Sequence, residues 1–185
     1  MNIVQEIKNF VKTECQKSTS KYGYEPFPYH FVAVVRYAKV LAKKQGGNIE
    51  VVLLSAWLHD IGSIIHGRQD HHLTGAKIAR KKLESLDYPK EKIELIAKCI
   101  LNHRGSQNNA RKTIEEKIIA DADALSNFDN LSGIFKAAFV YENLEQGKAQ
   151  KSVLQKFENK WKKLHFESSR EIIRPKYEAI RLLLR

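Results

Sequence analysis

The chain has 185 residues, 43% of them hydrophobic and 29% charged, and carries a net charge of +11. That length suits one domain with a substantial core, and the balance of apolar and charged residues excludes an intrinsically disordered chain. Cys15 and Cys99 are the two cysteines; they lie far apart and outside any Cys-x-x-Cys pattern, which argues against a disulfide framework or a thiolate zinc knot and leaves Cys99 as core filler.

The opening stretch Met1-Asn2-Ile3-Val4-Gln5-Glu6-Ile7-Lys8 alternates apolar and polar residues and has no secretion-signal pattern. No uninterrupted apolar run reaches bilayer-spanning length, so a cytoplasmic protein with no membrane partner is expected. Apolar residues recur at spacings of three and four and strand signals are scarce, which predicts an all-α helical bundle. Helix one is expected over residues 3–17. A connector follows from Ser18 to Pro28, where Gly23, Pro26 and Pro28 disfavour regular structure. His30 opens the next helix, which runs through Val34, Tyr37 and Leu41 and stops at Gly46-Gly47. Asn48 caps a third helix through Val51, Leu54, Leu58 and Ile61, apolar on most sides and so central.

A loop around Gly62 to Asp70 leads to a helix from about Leu73 to Leu86, and Pro89 opens another toward His103. After a polar loop from Arg104 to Lys112, Thr113 caps a helix through Ile118 and Ile119 to Leu125. Two or three longer helices complete the chain. Eleven Lys and Arg against four Glu between Lys148 and Arg185 put most of the positive excess in this tail. Leu154, Phe157, Trp161 and Leu164 recur there at helical spacing, so the tail reads as a packed helix with a solvated basic face.

Chemistry concentrates where charge enters the apolar third helix, at Ser-Ala-Trp-Leu-His59-Asp60-Ile-Gly. A buried carboxylate beside an imidazole is costly unless it is paired or metal-bound, and a metal ion and a hydrogen-bonded His–Asp pair satisfy that demand equally. Helical neighbours diverge by about 100°, so further ligands to one ion must come from other helices. His30 upstream and Asp123 in Ala-Asp-Ala-Asp-Ala-Leu are the candidates. Asp121 and Asp123 cannot both face one centre, because two helical steps turn about 200°.

The order His30, then Leu58-His59-Asp60-Ile61-Gly62, then Ala122-Asp123-Ala124-Leu125 resembles the HD superfamily pattern H…HD…D, over about residues 28–130. The resemblance implies an HD-domain helical bundle, read as a single domain over residues 1–185 with C-terminal helices from 131 to 185. It implies a divalent metal, one or two ions of Mn, Fe, Zn, Ni, Co or Mg, held by His30, His59, Asp60 and Asp123. His71 and His103 resemble the added ligands of the dinuclear subset H…HD…H…H…D, with His72 an alternative to His71. The resemblance selects Asp123 over Asp121, which is left to a supporting or surface contact, with Asn127 facing the Asp123 side. His66 and His165 match no position and read as exposed or satisfied histidines.

The implied activity is phosphohydrolase chemistry on a small phosphorylated substrate, a nucleotide first among them, with Asp60 orienting a metal-activated water. Arg68 and Arg104 are the expected phosphate contacts, with Arg36 or Lys77 as substitutes. Ser63 stands where many cyclic-dinucleotide phosphodiesterases of the superfamily carry lysine, which argues against that role. Two alternatives share the residues: a dinuclear-iron oxygenase acting on a small molecule, with Tyr22, Tyr24 and Glu25 covering the site, and a non-catalytic nucleotide-binding module. Nucleic acid is disfavoured as a partner because only charge supports it, and a homodimer is left open.

Overall fold

The computed structural model describes residues 2–104 and 111–185, and among these no strand occurs. The part of the expected polar loop that falls on residues 105–110 lies outside the described residues. Helix α1 (Ile3–Gln16) is capped by the Asn2 side chain, which accepts from the Val4 amide. The connector that follows ends in a π-helical turn, Phe27–Phe31, which feeds directly into α2 (Val32–Gln45). His30 therefore sits inside a widened turn instead of at the first position of a regular helix. Helix α2 ends where Gly46 and Gly47 take positive φ values of 84° and 95°, which other residues rarely adopt.

Asn48 caps α3 (Ile49–Leu58) as expected, accepting from the Val51 amide at 3.2 Å. The helix does not run on to Ile61, however. It breaks at His59-Asp60, where Asp60 has φ −113° and ψ 14°, and a short helix α4 (Ile61–His66) begins at once. Gly62 to His66, read as loop from sequence, are thus helical. The stretch Ile49–His66, interrupted by Glu50, His59 and Asp60, has the length and mean hydropathy of a membrane span, but 67% of it is buried inside the protein, as in the core of a helical bundle.

Helices α5 (His71–Glu84) and α6 (Lys90–Asn102) form a hairpin beside α4. Helix α7 (Ile114–Asp129) starts with a complete capping box: Thr113 accepts from the Glu116 amide, and the Glu116 carboxylate accepts from the Thr113 amide. The short α8 (Leu131–Lys136), a second π-helical turn (Ala137–Tyr141), α9 (Gln146–Lys162) and α10 (Glu167–Leu184) complete the chain.

Helix α3 joins two apolar cores. Val52 and Ala56 pack with α2, α7, α9 and α10, while Val51, Leu54, Trp57 and Leu58 pack with α1, α4, α5 and α6. Leu54 and Leu58 are fully buried, each contributing about 1.5–3 kcal/mol of transfer free energy. This anchors the end of α3, and with it His59, on both sides. Cys99 is core filler as expected, and burial pushes its thiol up to about 12.

Candidate metal centre

Six side chains converge at one end of α3 in two groups of three: His30, His59 and Asp123, and Asp60, His71 and His103. Within each group all donor atoms lie within 4.8 Å of one another. Every residue expected as a metal ligand is therefore in the cluster. His72, the alternative to His71, is in neither group.

The break after Leu58 splits the His-Asp pair between the two groups. His59 is fully buried and points at His30, Nε2 to Nε2, at 2.9 Å. Asp60, freed from helical geometry, spreads its carboxylate over both groups. Its Oδ1 lies 3.3 Å from His71 Nε2 and 3.5 Å from His103 Nε2, and its Oδ2 lies 3.5 Å from His30 Nε2 and 3.7 Å from His59 Nε2. Asp123 Oδ1 stands 3.6 Å from His30 Nε2.

Glycine makes the second group possible. A Cβ on Gly62 would lie 2.2 Å from the His71 carbonyl oxygen and 2.7 Å from the Gly75 amide nitrogen. Only a residue without a side chain lets α4 and the first turn of α5 come this close, and that approach carries His71 to Asp60.

The outer nitrogen of each imidazole fixes its tautomer. Nδ1 of His59, His71 and His103 donates to the carbonyls of Ala56 (2.8 Å), Arg68 (2.8 Å) and Ile100 (2.6 Å). His30 Nδ1 donates to Ser126 Oγ at 3.1 Å, whose own hydroxyl proton is engaged by the Asp123 carbonyl. In the neutral rings all four Nε2 atoms are then lone-pair acceptors, aimed at one another and at two carboxylates that only accept. Acceptors crowded against acceptors repel unless a cation lies among them. Two ligands each about 2.1 Å from one ion stand about 3.0–3.4 Å apart at octahedral to tetrahedral angles. The 2.9 Å His30–His59, 3.3 Å His71–Asp60 and 3.4 Å His71–His103 separations fall on that scale. The residues present fit divalent metal, and the imidazole–carboxylate donor set suits zinc, iron, manganese and their neighbours.

Electrostatics agree. Burial pushes the His59 pKa down to about 4, so the ring is neutral and able to ligate at ordinary pH. Burial alone would raise the Asp60 and Asp123 pKa values, but the surrounding imidazoles, and Lys160 at Asp123, hold both below the usual carboxylate range. At His103 burial pushes the pKa down, yet the Asp60 carboxylate outweighs it and raises the value; without a metal the ring therefore favours a proton beside Asp60, a positive charge that a bound cation would replace.

The centre opens into a cavity of about 740 Å³. Arg68 and Arg104 both line it; Arg68 is largely exposed and lies 3.9 Å from Glu142. The substitutes named from sequence fare differently: Arg36 pairs with Asp129 elsewhere on the surface, and neither Arg36 nor Lys77 lines the cavity. Tyr22 and Glu25 reach the wall, whereas Tyr24 stacks on Phe27. Asn127 lines the cavity and donates to the Asp123 carbonyl, as its helical spacing indicates. The solvated basic face expected of the tail is corrected in one respect: Lys156, Lys160 and Lys163 of the α9 region, spaced by four and three, line this same cavity. Sequence periodicity located the stripe but not what it faces. Asp121, 1% exposed, turns away from the centre and holds the start of α10.

The HD domain model matches residues 28–127, more than half of the chain and the whole interval from His30 to Asp123. The chain belongs to the HD domain family. Members of this family bind divalent metals. An uncharacterized protein of Clostridium beijerinckii is 32% identical over 83 residues, 43% of this HD chain and 53% of that protein, so the chain matches about half of that relative's length. Among solved structures, an HD-superfamily hydrolase from Bacillus thuringiensis superposes with a TM-score of 0.76 at 17% identity, covering 98% of this chain and 93% of that one. Bacillus subtilis YpgQ in complex with ADP superposes with a TM-score of 0.71 at 18% identity, covering 97% and 95%. At these identities the two structures establish a shared fold for the HD chain along nearly its full length.

Proposed function

We propose that this HD protein is a metal-dependent phosphohydrolase acting on a small phosphorylated substrate, a nucleotide in the first instance. The observation that carries the reading is the convergence of four imidazole rings and two carboxylates, in two groups of three, beside a cavity lined by Arg and Lys side chains. Divalent ions bound there would supply Lewis acidity toward a phosphoryl oxygen and a water acidic enough to attack phosphorus at neutral pH.

The protein's own residues complete the chemistry. Asp60 reaches both donor groups, so it holds their spacing fixed and offers a carboxylate oxygen to orient the attacking water. Arg68 and Arg104, both on the cavity lining, would offer guanidinium forks to the phosphoryl oxygens, and Lys160 adds positive potential from α9, while Lys156 is paired with Glu142 beside Arg68. Ser126 and the backbone carbonyls at Ala56, Arg68 and Ile100 keep the imidazoles oriented, so little reorganisation is needed at the moment of reaction. The cavity volume suits a nucleotide-sized ligand, and a protein of the same fold was crystallised with ADP.

The test is a phosphate-release screen over nucleoside mono-, di- and triphosphates, a cyclic nucleotide and a simple aryl phosphate, each with Mn²⁺, Co²⁺, Ni²⁺, Zn²⁺, Fe²⁺ or Mg²⁺. Turnover that disappears on chelation and in Asp60→Ala is expected. Absence of phosphate or pyrophosphate release from every substrate, with oxygen consumed by the iron-loaded protein instead, would overturn the proposal.

A further inference from the structure

Asp121 and His165 do not enter the reading above, yet they are tied together tightly. The buried Asp121 carboxylate accepts from the His165 amide (2.9 and 3.0 Å), the Phe166 amide (3.1 Å), the Ser169 hydroxyl (2.7 Å) and His165 Nδ1 (2.8 Å). A carboxylate only accepts, so Nδ1 is the protonated nitrogen of His165. Its Nε2 is then free to accept, and the group facing it at 3.5 Å is Arg111 Nη1, which only donates.

The rest of the Arg111 guanidinium closes the end of α6. Nε donates to the Asn102 carbonyl at 2.9 Å, and Nη2 donates to the carbonyls of His103 and Arg104 at 3.3 Å each. The Asn102 and His103 carbonyls belong to the orphan acceptors that every helix leaves at its C-terminus, the Arg104 carbonyl follows just beyond it, and a cation there also meets the negative end of the helix dipole. His103 stands at this terminus. Its ring direction depends on the local backbone twice over, through its own Cα position and through Nδ1 bound to the Ile100 carbonyl.

We infer that Asp121, His165 and Arg111 form a positioning chain that runs from α7 through the α9–α10 turn to the end of α6 and aims His103 at Asp60. The chain's hydrogen bonds reach the group Asp60, His71 and His103 through the end of α6, whereas with the group His30, His59 and Asp123 Arg111 shares only a charge interaction with Asp123, which Arg111→Lys would keep. The C-terminal helices, which supply no metal ligand, thereby set the affinity of one half of the centre. It also accounts for the doublet Asp121 and Asp123: about 200° apart on α7, one joins the centre and the other anchors the device that holds its far side. The inference rests on the metal-centre reading.

The experiment is calorimetric titration of the metal-stripped full-length protein with Mn²⁺, comparing wild type, Arg111→Lys, His165→Ala and Ser126→Ala. Ser126→Ala serves to identify the event belonging to His30, whose Nδ1 it supports. Arg111→Lys keeps the charge but loses the fork, and is expected to weaken the other event about tenfold, the usual scale for losing a ligand's orienting partner, while the His30 event stays within about twofold. His165→Ala should act on the same event by less, because Arg111 retains its carbonyls. Melting curves of the metal-free variants accompany the titration, since general loosening would lower the melting temperature and weaken both events together. Equal weakening of both events, or no change in a folded Arg111→Lys protein, overturns the inference alone. If wild type takes up no Mn²⁺, the metal-centre reading and this inference both fall.

Discussion

In the group His30, His59 and Asp123, two of the three donors stand on helical turns that continue past them, whereas all three donors of the group Asp60, His71 and His103 stand at helix ends. A donor inside a continuous helix is aimed by packing along the whole element, and α2 and α7 lie against each other through the core formed by Val34, Ala38, Ile119 and Ala122. A donor at a helix end is aimed only by what holds that end: the break at Asp60, the close approach at Gly62, the carbonyl contacts of Arg111. The first group should therefore tolerate local change and the second should not, although Asp60 touches both.

The largest expected difference comes from Gly62→Ala. Its new methyl meets backbone at 2.2 Å, which cannot yield as a side chain could, so α5 must shift and take His71 with it. Overpacking of this kind costs about 1–3 kcal/mol of stability, read as a lowered midpoint of chemical unfolding. The more telling reading is metal content: one of the two ions should be lost while the His30 group still binds. Loss of both, or of neither, would blur the distinction between the groups.

Ser126→Ala probes the other side at smaller scale. His30 Nδ1 loses its acceptor, the ring is freed to rotate, and metal affinity of the first group should fall about tenfold, with fold stability little changed, as measured by titration and thermal melting. Smaller again is Lys160→Gln, which removes a cation that lowers the Asp123 pKa without touching any imidazole nitrogen. The expectation is a rise in KM of a few-fold with kcat little altered, on the scale of a partly screened charge contact of about 1 kcal/mol. An unchanged KM would remove α9 from the substrate wall.

Legibility from sequence did not follow that division: the donors of both groups were named, but not the local geometry that brings them together. The caps Asn48 and Thr113 could be read directly because capping chemistry is local, whereas the ligand positions came from the resemblance to the HD pattern, the residues alone leaving a metal ion and a His–Asp pair equal. The break at His59-Asp60 was not legible, since α3 and α4 share one apolar pattern and the turn between them is imposed by donors that arrive from distant elements. The role of Gly62 was invisible for the same reason: its demand comes from His71 and Gly75 across an interhelical contact. Asp121 read as a lesser contact because its partners, His165, Phe166 and Ser169, lie more than forty residues away. The lysine stripe of α9 was legible as a stripe, but which way an amphipathic helix turns its basic face depends on packing against α7 and α10.

The central claim is that four inward Nε2 atoms and two carboxylates crowd together because divalent ions belong among them. The most direct measurement is elemental analysis of metal bound per chain after reconstitution with Mn²⁺ and removal of free ion, for wild type and Asp60→Ala. Two ions in the wild type, with substantial loss from the variant whose carboxylate spans both groups, is the predicted result. A folded wild-type protein that retains no metal, or an Asp60→Ala protein that retains as much, would contradict the account.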